Sequence, residues 1–102
     1  MSTTPVTRAV VVQNPQGLHA RPAELFAKLA LQFESRIALI RNDQRADGKS
    51  ILEILTLGVQ PGTELILEAQ GDDAQQAVEA LATLVESHFG NYETGNLEQK
   101  KG

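Results

Sequence analysis

The sequence predicts a domain of the α+β class, in which an antiparallel sheet is covered by helices on one face. Short runs that are rich in valine or that alternate between apolar and polar residues indicate strands. Longer stretches with apolar residues at every third or fourth position indicate helices. The predicted order is strand, helix, strand, strand, short helix, strand, helix, and packing the helices on one sheet face would bury their apolar stripes.

The first strand and the first helix are separated by a turn. Residues 6–12 are rich in valine and are followed by Asn14, which predicts a strand that ends before a turn. Pro22 fits only the first turn of a helix, because the N–H group that it lacks has no partner there. The apolar spacing around it predicts a helix from near Ala20 to about Phe33.

Three further strands and a second long helix follow from the rest of the pattern. Residues 36–41 predict the second strand, residues 44–47 a short third strand at a sheet edge, and residues 63–69 a half-buried fourth strand. The run Gly71-Asp72-Asp73 is expected to supply the N-cap of the last helix, whose apolar spacing continues to about Phe89.

A short helix is predicted between the third and fourth strands. Ser50 and Glu53 have the spacing of a capping box, in which the Ser hydroxyl accepts from the first turn and Glu reaches back to the N-cap N–H. Gly58 is expected to follow the end of this helix. Its two turns hold more apolar residues than can face inward, so Ile51 and Leu52 are expected to form an exposed docking patch.

The length of the chain, 102 residues with 41% hydrophobic content, suits one compact domain. We assign residues 1–90 to this domain, because Gly90 is predicted to end the last helix. Residues 91–102 are polar and lack an apolar period, so they are expected to form a mobile tail.

Composition argues against several classes of function. The net charge is −4, so no basic field is available to attract nucleic acid. There is no cysteine, and the two histidines leave no clustered ligand set for a metal. His88 is expected to be structural or solvated. The N-terminal residues lack a signal pattern and no run is long enough to span a membrane, so we expect a soluble, cytoplasmic protein without membrane insertion.

His19 is the residue best placed for chemistry, because it precedes the first helix. The N-terminus of a helix carries roughly half a positive charge and disfavours cations, so the imidazole should stay neutral and nucleophilic. A phosphoryl group on this ring would be an anion facing backbone N–H groups and Arg21. A surface histidine at a helix start without a catalytic role is common, and that alternative stays open at this point.

Two runs in the expected order resemble a known family. Gly-Leu-His-Ala-Arg-Pro-Ala at residues 17–23 resembles the active-site signature of HPr, the histidine-containing phosphocarrier of the phosphoenolpyruvate-dependent sugar phosphotransferase system. Lys-Ser-Ile-Leu at 49–52, followed by Thr-Leu-Gly at 56–58, resembles the regulatory-serine segment of that family. The similarity spans about residues 6–89. It implies an open-faced β-sandwich with four strands and three helices in the order βαββαβα.

The resemblance also implies roles for individual residues. His19 would be the phosphoryl acceptor, at Nδ1, and Arg21 would stabilise the phosphoryl oxygens. Ser50 would be a possible phosphoserine, modified by an HPr kinase/phosphorylase. The donor would be enzyme I, the phosphoenolpyruvate-protein phosphotransferase, and the acceptors would be sugar-specific A components. No cofactor and no metal are implied, and a monomer is expected. The expected partner-docking residues are Ala20, Lys28, Ile51 and Leu52.

Two residues depart from the family pattern, and an alternative function remains. Leu31 stands where the family has a basic or polar residue, and Glu53 places a carboxylate beside Ser50, so partner choice could differ. The alternative is a regulatory interaction module, or a phosphorelay paralogue, in which phosphorylation of His19 or Ser50 only signals. The sequence does not separate this alternative from a phosphocarrier.

Overall fold

A computed structural model describes residues 4–89, which form a four-stranded antiparallel sheet and three helices. The strands are β1 (Val6–Val12), β2 (Arg36–Arg41), β3 (Gln44–Asp47) and β4 (Thr63–Gln70), and their order in the sheet is β1-β4-β2-β3. The helices are α1 (Ala20–Ala30), α2 (Ile51–Thr56) and α3 (Ala74–Glu86). The predicted α+β class and the open-faced βαββαβα architecture are confirmed.

The sheet is built around β4, which lies antiparallel to both β1 and β2. β2 and β3 form a hairpin with a two-residue turn, in which Asn42 has a φ of 57°. A left-handed residue at this place suits the twist of a tight hairpin. Three strands begin and end where the sequence predicts, and β4 continues past the predicted end to Gln70.

The core lies between the sheet and the helical layer. Along β4 the alternate residues Leu65, Leu67 and Ala69 are fully buried, which is the pattern of a sheet covered on one face. α3 packs against β1 and β4, α1 packs against α2 and α3, and α2 packs against β3. The largest core side chains are Phe26, Leu39, Ile54, Leu65, Leu67 and Leu81.

Both long helices end earlier than the sequence predicts. α1 ends at Ala30, because the N–H groups of Gln32 and Phe33 bond to carbonyls three residues back and tighten the chain out of the helix. α3 ends at Glu86 rather than near Phe89. His88 and Phe89 both have a positive φ, and the chain turns there so that Phe89 is buried.

Asp73 is the N-cap residue of α3, so the run predicted to supply the cap does so, but the Asp73 side chain makes no capping hydrogen bond. Its carboxylate accepts from the backbone N–H groups of Glu34 and Ser35, at 2.9 and 3.0 Å, and from the Ser35 hydroxyl at 2.5 Å. These bonds join the entry of β2 to the entry of α3. The pKa of Asp73 is lowered most by the hydrogen bond from the Ser35 hydroxyl and next by the hydrogen bond from the Glu34 N–H.

Gly90, which was expected to end the last helix, and the polar segment 91–102 lie outside the described residues. Within residues 4–89, no helix is long and apolar enough to cross a membrane. The same range contains no group of three or more His, Cys, Asp or Glu side chains placed to hold a metal ion.

Candidate functional site

His19 is the N-cap residue of α1, as the sequence predicts. Its backbone is extended, with φ −91° and ψ −166°, and its carbonyl accepts the helical hydrogen bond from Ala23 N at 3.0 Å. Its side chain makes no capping hydrogen bond. The imidazole is partly exposed, but its Nε2 atom is buried. Of the two ring nitrogens, Nε2 is therefore closed to a bulky phosphoryl group, which leaves Nδ1 as the candidate for reaction.

The loop before His19 is held against the turn that precedes β4. Gly17 has a φ of +64°, and a Cβ atom at this position would lie 2.2 Å from the carbonyl oxygen of Val59. Leu18 is buried, and its N–H donates to the same Val59 oxygen at 3.1 Å. Gly17 is therefore required both for its backbone conformation and for the close approach of the two loops. The local sequence around Gly17 does not predict this contact with Val59.

Asn14 closes the other side of this loop. It is only 1% exposed, its Nδ2 donates to Gly17 O at 2.7 Å, and its own carbonyl accepts from Gly17 N at 3.0 Å. From the sequence alone, Asn14 is expected only to form a turn. The Asn-Pro-Gln-Gly run could have predicted these bonds, since an asparagine side chain in such a turn often bonds to the local backbone.

The electrostatic surroundings of His19 favour an anion. The first turn of α1 contains no acidic residue. Arg21 lies in this turn, half exposed, with Nη1 3.6 Å from the Glu24 carboxylate. An exposed ion pair of this length contributes little to stability. Ala20 and Lys28 are exposed on the same helix, Lys28 in its last turn.

Ser50 is the N-cap residue of α2, and its Oγ accepts from Glu53 N at 3.2 Å. The other half of the predicted capping box is not formed, because Ser50 N bonds to Asp47 O and Glu53 Oε1 accepts from Asp47 N at 2.8 Å. Asp47 Oδ1 in turn accepts from Lys49 N at 2.9 Å. Ser50 thus lies between two carboxylates that are both engaged with the backbone.

The two candidate modification sites are separate. Lys49 Nζ donates to Phe33 O at 2.7 Å, which joins the segment before Ser50 to the chain just beyond the C-terminal end of α1. His19 lies at the N-terminal end of the same helix. Eleven helical residues span about 16 Å. Ser50 therefore does not belong to the group formed by His19 and Arg21.

The exposure predicted for the short helix is confirmed. Leu52 is 75% exposed and Ile51 is 38% exposed. Leu31, just past the end of α1, is 62% exposed. Because α1 packs against α2, these exposed apolar side chains belong to the same helical layer as α1. We call Leu31, Ile51 and Leu52 the apolar patch.

The four-stranded fold and the place of His19 at the start of α1 agree with the resemblance that the sequence shows. A family model described as the PTS HPr component phosphorylation site matches residues 6–87. Phosphocarrier protein HPr of Neisseria meningitidis serogroup A is 37% identical over 86 residues, which cover 84% of this chain and 97% of that protein. The chain therefore belongs to the HPr family of the phosphotransferase system.

Solved structures agree with this assignment. HPr-C-His from Thermoanaerobacter tengcongensis superposes with a TM-score of 0.82 at 41% identity, covering 84% of this chain and 97% of that chain. The HPr-like protein Crh of Bacillus subtilis is 42% identical over 81 residues, 79% of this chain and 95% of that protein. The solid-state NMR structure of the Crh dimer gives a TM-score of 0.62 and covers 76% of this chain and 92% of that chain.

Proposed function

We propose that this protein accepts a phosphoryl group on His19 from phospho-enzyme I and passes it to sugar-specific A components. The observation that supports this proposal most is the position of His19, a partly exposed imidazole at the N-cap of α1. Membership of the HPr family supports the same role. The protein then acts in the cytoplasm as a shuttle without a bound cofactor or metal.

The transfer step is an in-line displacement at phosphorus. The lone pair of His19 Nδ1 forms the new P–N bond while the bond from phosphorus to the donor atom breaks and that atom keeps the electron pair. The burial of Nε2 favours Nδ1 as the attacking atom. In the second transfer His19 is the leaving group, and the nucleophile of the acceptor takes its place.

The product of the first transfer is an anion at a helix N-terminus. Backbone N–H groups there stabilise negative charge, by roughly 0.3–1 kcal/mol when exposed. A charge-assisted hydrogen bond from Arg21 contributes roughly 1.5–3 kcal/mol. The hydrogen bond from Arg21 is thus the larger of the two contributions to stabilising the phosphoryl group.

Docking residues and a regulatory site complete the proposal. We assign partner docking to Ala20, Lys28, Ile51 and Leu52, all of them exposed. Ser50 is the candidate phosphoserine for an HPr kinase/phosphorylase, and a phosphate there must compete with the carboxylates of Glu53 and Asp47. The working form is proposed to be the monomer, in contrast to the Crh dimer.

A second candidate is a regulatory module. The relative Crh is described as a catabolite repression HPr, and it is similar to this chain over most of its length. In such a module phosphorylation of His19 or Ser50 changes the binding of a regulator, and no phosphoryl group is handed on.

The experiment that separates a phosphocarrier from a regulatory module asks whether the phosphoryl group is passed on to an acceptor. The protein is phosphorylated with phosphoenolpyruvate and enzyme I, purified, and mixed with a set of sugar-specific A components. A carrier loses its acid-labile phosphate to at least one of them. A protein that keeps its phosphate in every mixture and binds a regulator instead is a module.

A further inference from the structure

We propose that Asn14 is a positioning residue of the phosphoryl-transfer site, which orients the peptide that leads into His19. This inference rests on the proposed function. Asn14 precedes His19 by five residues and is 1% exposed, so its side chain touches neither solvent nor a docked partner. Its influence on transfer must therefore act through the loop.

The peptide group between Gly17 and Leu18 is held on both of its polar sides. Its carbonyl oxygen accepts from Asn14 Nδ2 at 2.7 Å, and its N–H, that of Leu18, donates to Val59 O at 3.1 Å. A peptide group is planar, so bonds to its two opposite ends fix its orientation. His19 follows Leu18 directly, and the direction in which its backbone leaves the loop depends on this orientation.

The other polar atom of the Asn14 side chain shows what the bond to Gly17 costs. Its Oδ1 is buried and has no hydrogen-bond partner among the described residues. The opposite amide orientation would set Oδ1 against Gly17 O, two acceptors facing each other, so the unpaired oxygen is the consequence of donating to Gly17. A buried acceptor without a partner destabilises a fold. Departures of this kind from the local rules are expected at functional or strained sites.

The test measures phosphorylation by enzyme I in Asn14→Ala and Asn14→Leu. Leucine has nearly the shape of asparagine and removes the donated bond together with the unpaired Oδ1, so this variant guards against a loss of fold in the alanine variant. Both variants are expected to lower kcat by about tenfold or more, because small errors in placing a reacting group reduce rates steeply. KM for the carrier is expected to stay at the wild-type value, because the docking residues are untouched.

Two controls separate positioning from stability. Ser35→Ala also removes a hydrogen-bonded polar side chain that is 1% exposed, but it lies beyond the other end of α1. Gln13→Ala removes an exposed amide next to Asn14. Both controls are expected to keep the wild-type kcat. A wild-type kcat in both Asn14 variants, or an equal loss in Ser35→Ala, would overturn the proposal.

NMR spectroscopy tests the role of Asn14 without any measurement of phosphoryl transfer. In NMR spectra of the isolated protein, Asn14→Leu should shift the Leu18 amide and the His19 ring resonances, whereas Ser35→Ala should leave them in place. Unchanged His19 resonances in the Asn14 variant contradict positioning. Absence of phosphorylation in the wild-type protein contradicts the proposed function instead, and the NMR comparison then decides the role of Asn14 alone.

Discussion

At the scale of single residues, His19 and Arg21 are expected to contribute differently. His19 forms and breaks the covalent bond, so nothing in the chain replaces it. Arg21 only stabilises charge, next to a helix N-terminus that already favours an anion. Removal of the arginine should therefore slow the reaction without stopping it.

Arg21→Ala is expected to slow phosphoryl transfer to and from His19 by about 10- to 100-fold, the kinetic equivalent of a charge-assisted hydrogen bond of roughly 1.5–3 kcal/mol. Rapid-quench measurement in both directions checks this. Glu24→Gln is the matched control, because it breaks the 3.6 Å ion pair and keeps the guanidinium. An unchanged rate in Arg21→Ala would remove Arg21 from the site.

At the scale of secondary-structure elements, the ends of helices join distant parts of the fold. The Asp73 carboxylate at the start of α3 accepts from the backbone N–H groups of Glu34 and Ser35. The Lys49 ammonium, just before α2, donates to the carbonyl of Phe33, which follows α1. Each of these contacts is a side chain bonded to a main-chain group far along the sequence. Such contacts stabilise the junctions between elements.

The Asp73 contact predicts a pH dependence of stability. Its pKa is lowered in the folded protein, so its contribution is complete above the ordinary value of about 4 and is lost as the pH falls through the lower folded pKa. The difference in Tm between wild type and Asp73→Asn should therefore shrink on acidification below about pH 4. Asp72→Asn is the neighbouring control. A Tm difference for Asp73→Asn that is constant down to about pH 2 would contradict this.

Ser50 offers a second test at the same scale. As an N-cap it should stabilise the protein by roughly 0.5–2 kcal/mol, so Ser50→Ala should lower the free energy of unfolding by that amount. Ser50→Asp keeps a capping oxygen and adds a charge beside Ile51 and Leu52. If Ser50 is regulatory, this variant should slow phosphorylation of His19 by enzyme I, because the charge must be desolvated on docking. Equal rates in Ser50→Asp and wild type would leave Ser50 as a helix cap only.

Local sequence patterns predicted the elements better than they predicted the side-chain bonds between them. Strand bounds follow from apolar runs and turn residues, and the place of His19 follows from Pro22 in the first helical turn. The partner of Asp73 could not be predicted, since Ser35 is 38 residues away and a helix cap was the local alternative. The contact between Leu18 and Val59 could not be predicted for the same reason, because it joins two loops that are distant in sequence.

At the scale of the whole molecule, the helical layer presents the apolar patch together with Arg21 and Lys28, while the other face of the sheet stays open. We propose residues 1–90 as the carrier domain. In this chain the patch includes Leu31, at a position where the resemblance of the sequence leads us to expect a basic or polar residue. Partner recognition should therefore depend more on apolar contact than on charge at this position.

Leu52→Ser is expected to raise KM for phosphorylation by enzyme I about tenfold, because burying a leucine in an interface contributes roughly 1.5–3 kcal/mol. Its Tm should stay unchanged, since the side chain is 75% exposed. Val11→Ser on the open sheet face is the control. Leu31→Lys should also raise KM, and a lower KM would show that the partner surface at this position is acidic.

The central claim is that His19 carries the phosphoryl group, and intact mass spectrometry tests it most directly. Wild type, His19→Ala and His88→Ala are incubated with phosphoenolpyruvate and enzyme I, and each sample is measured before and after acid treatment. Wild type and His88→Ala are expected to gain the mass of one phosphoryl group and to lose it in acid, and His19→Ala is expected to gain none while keeping its fold. Acid-labile phosphate on His19→Ala would contradict the account.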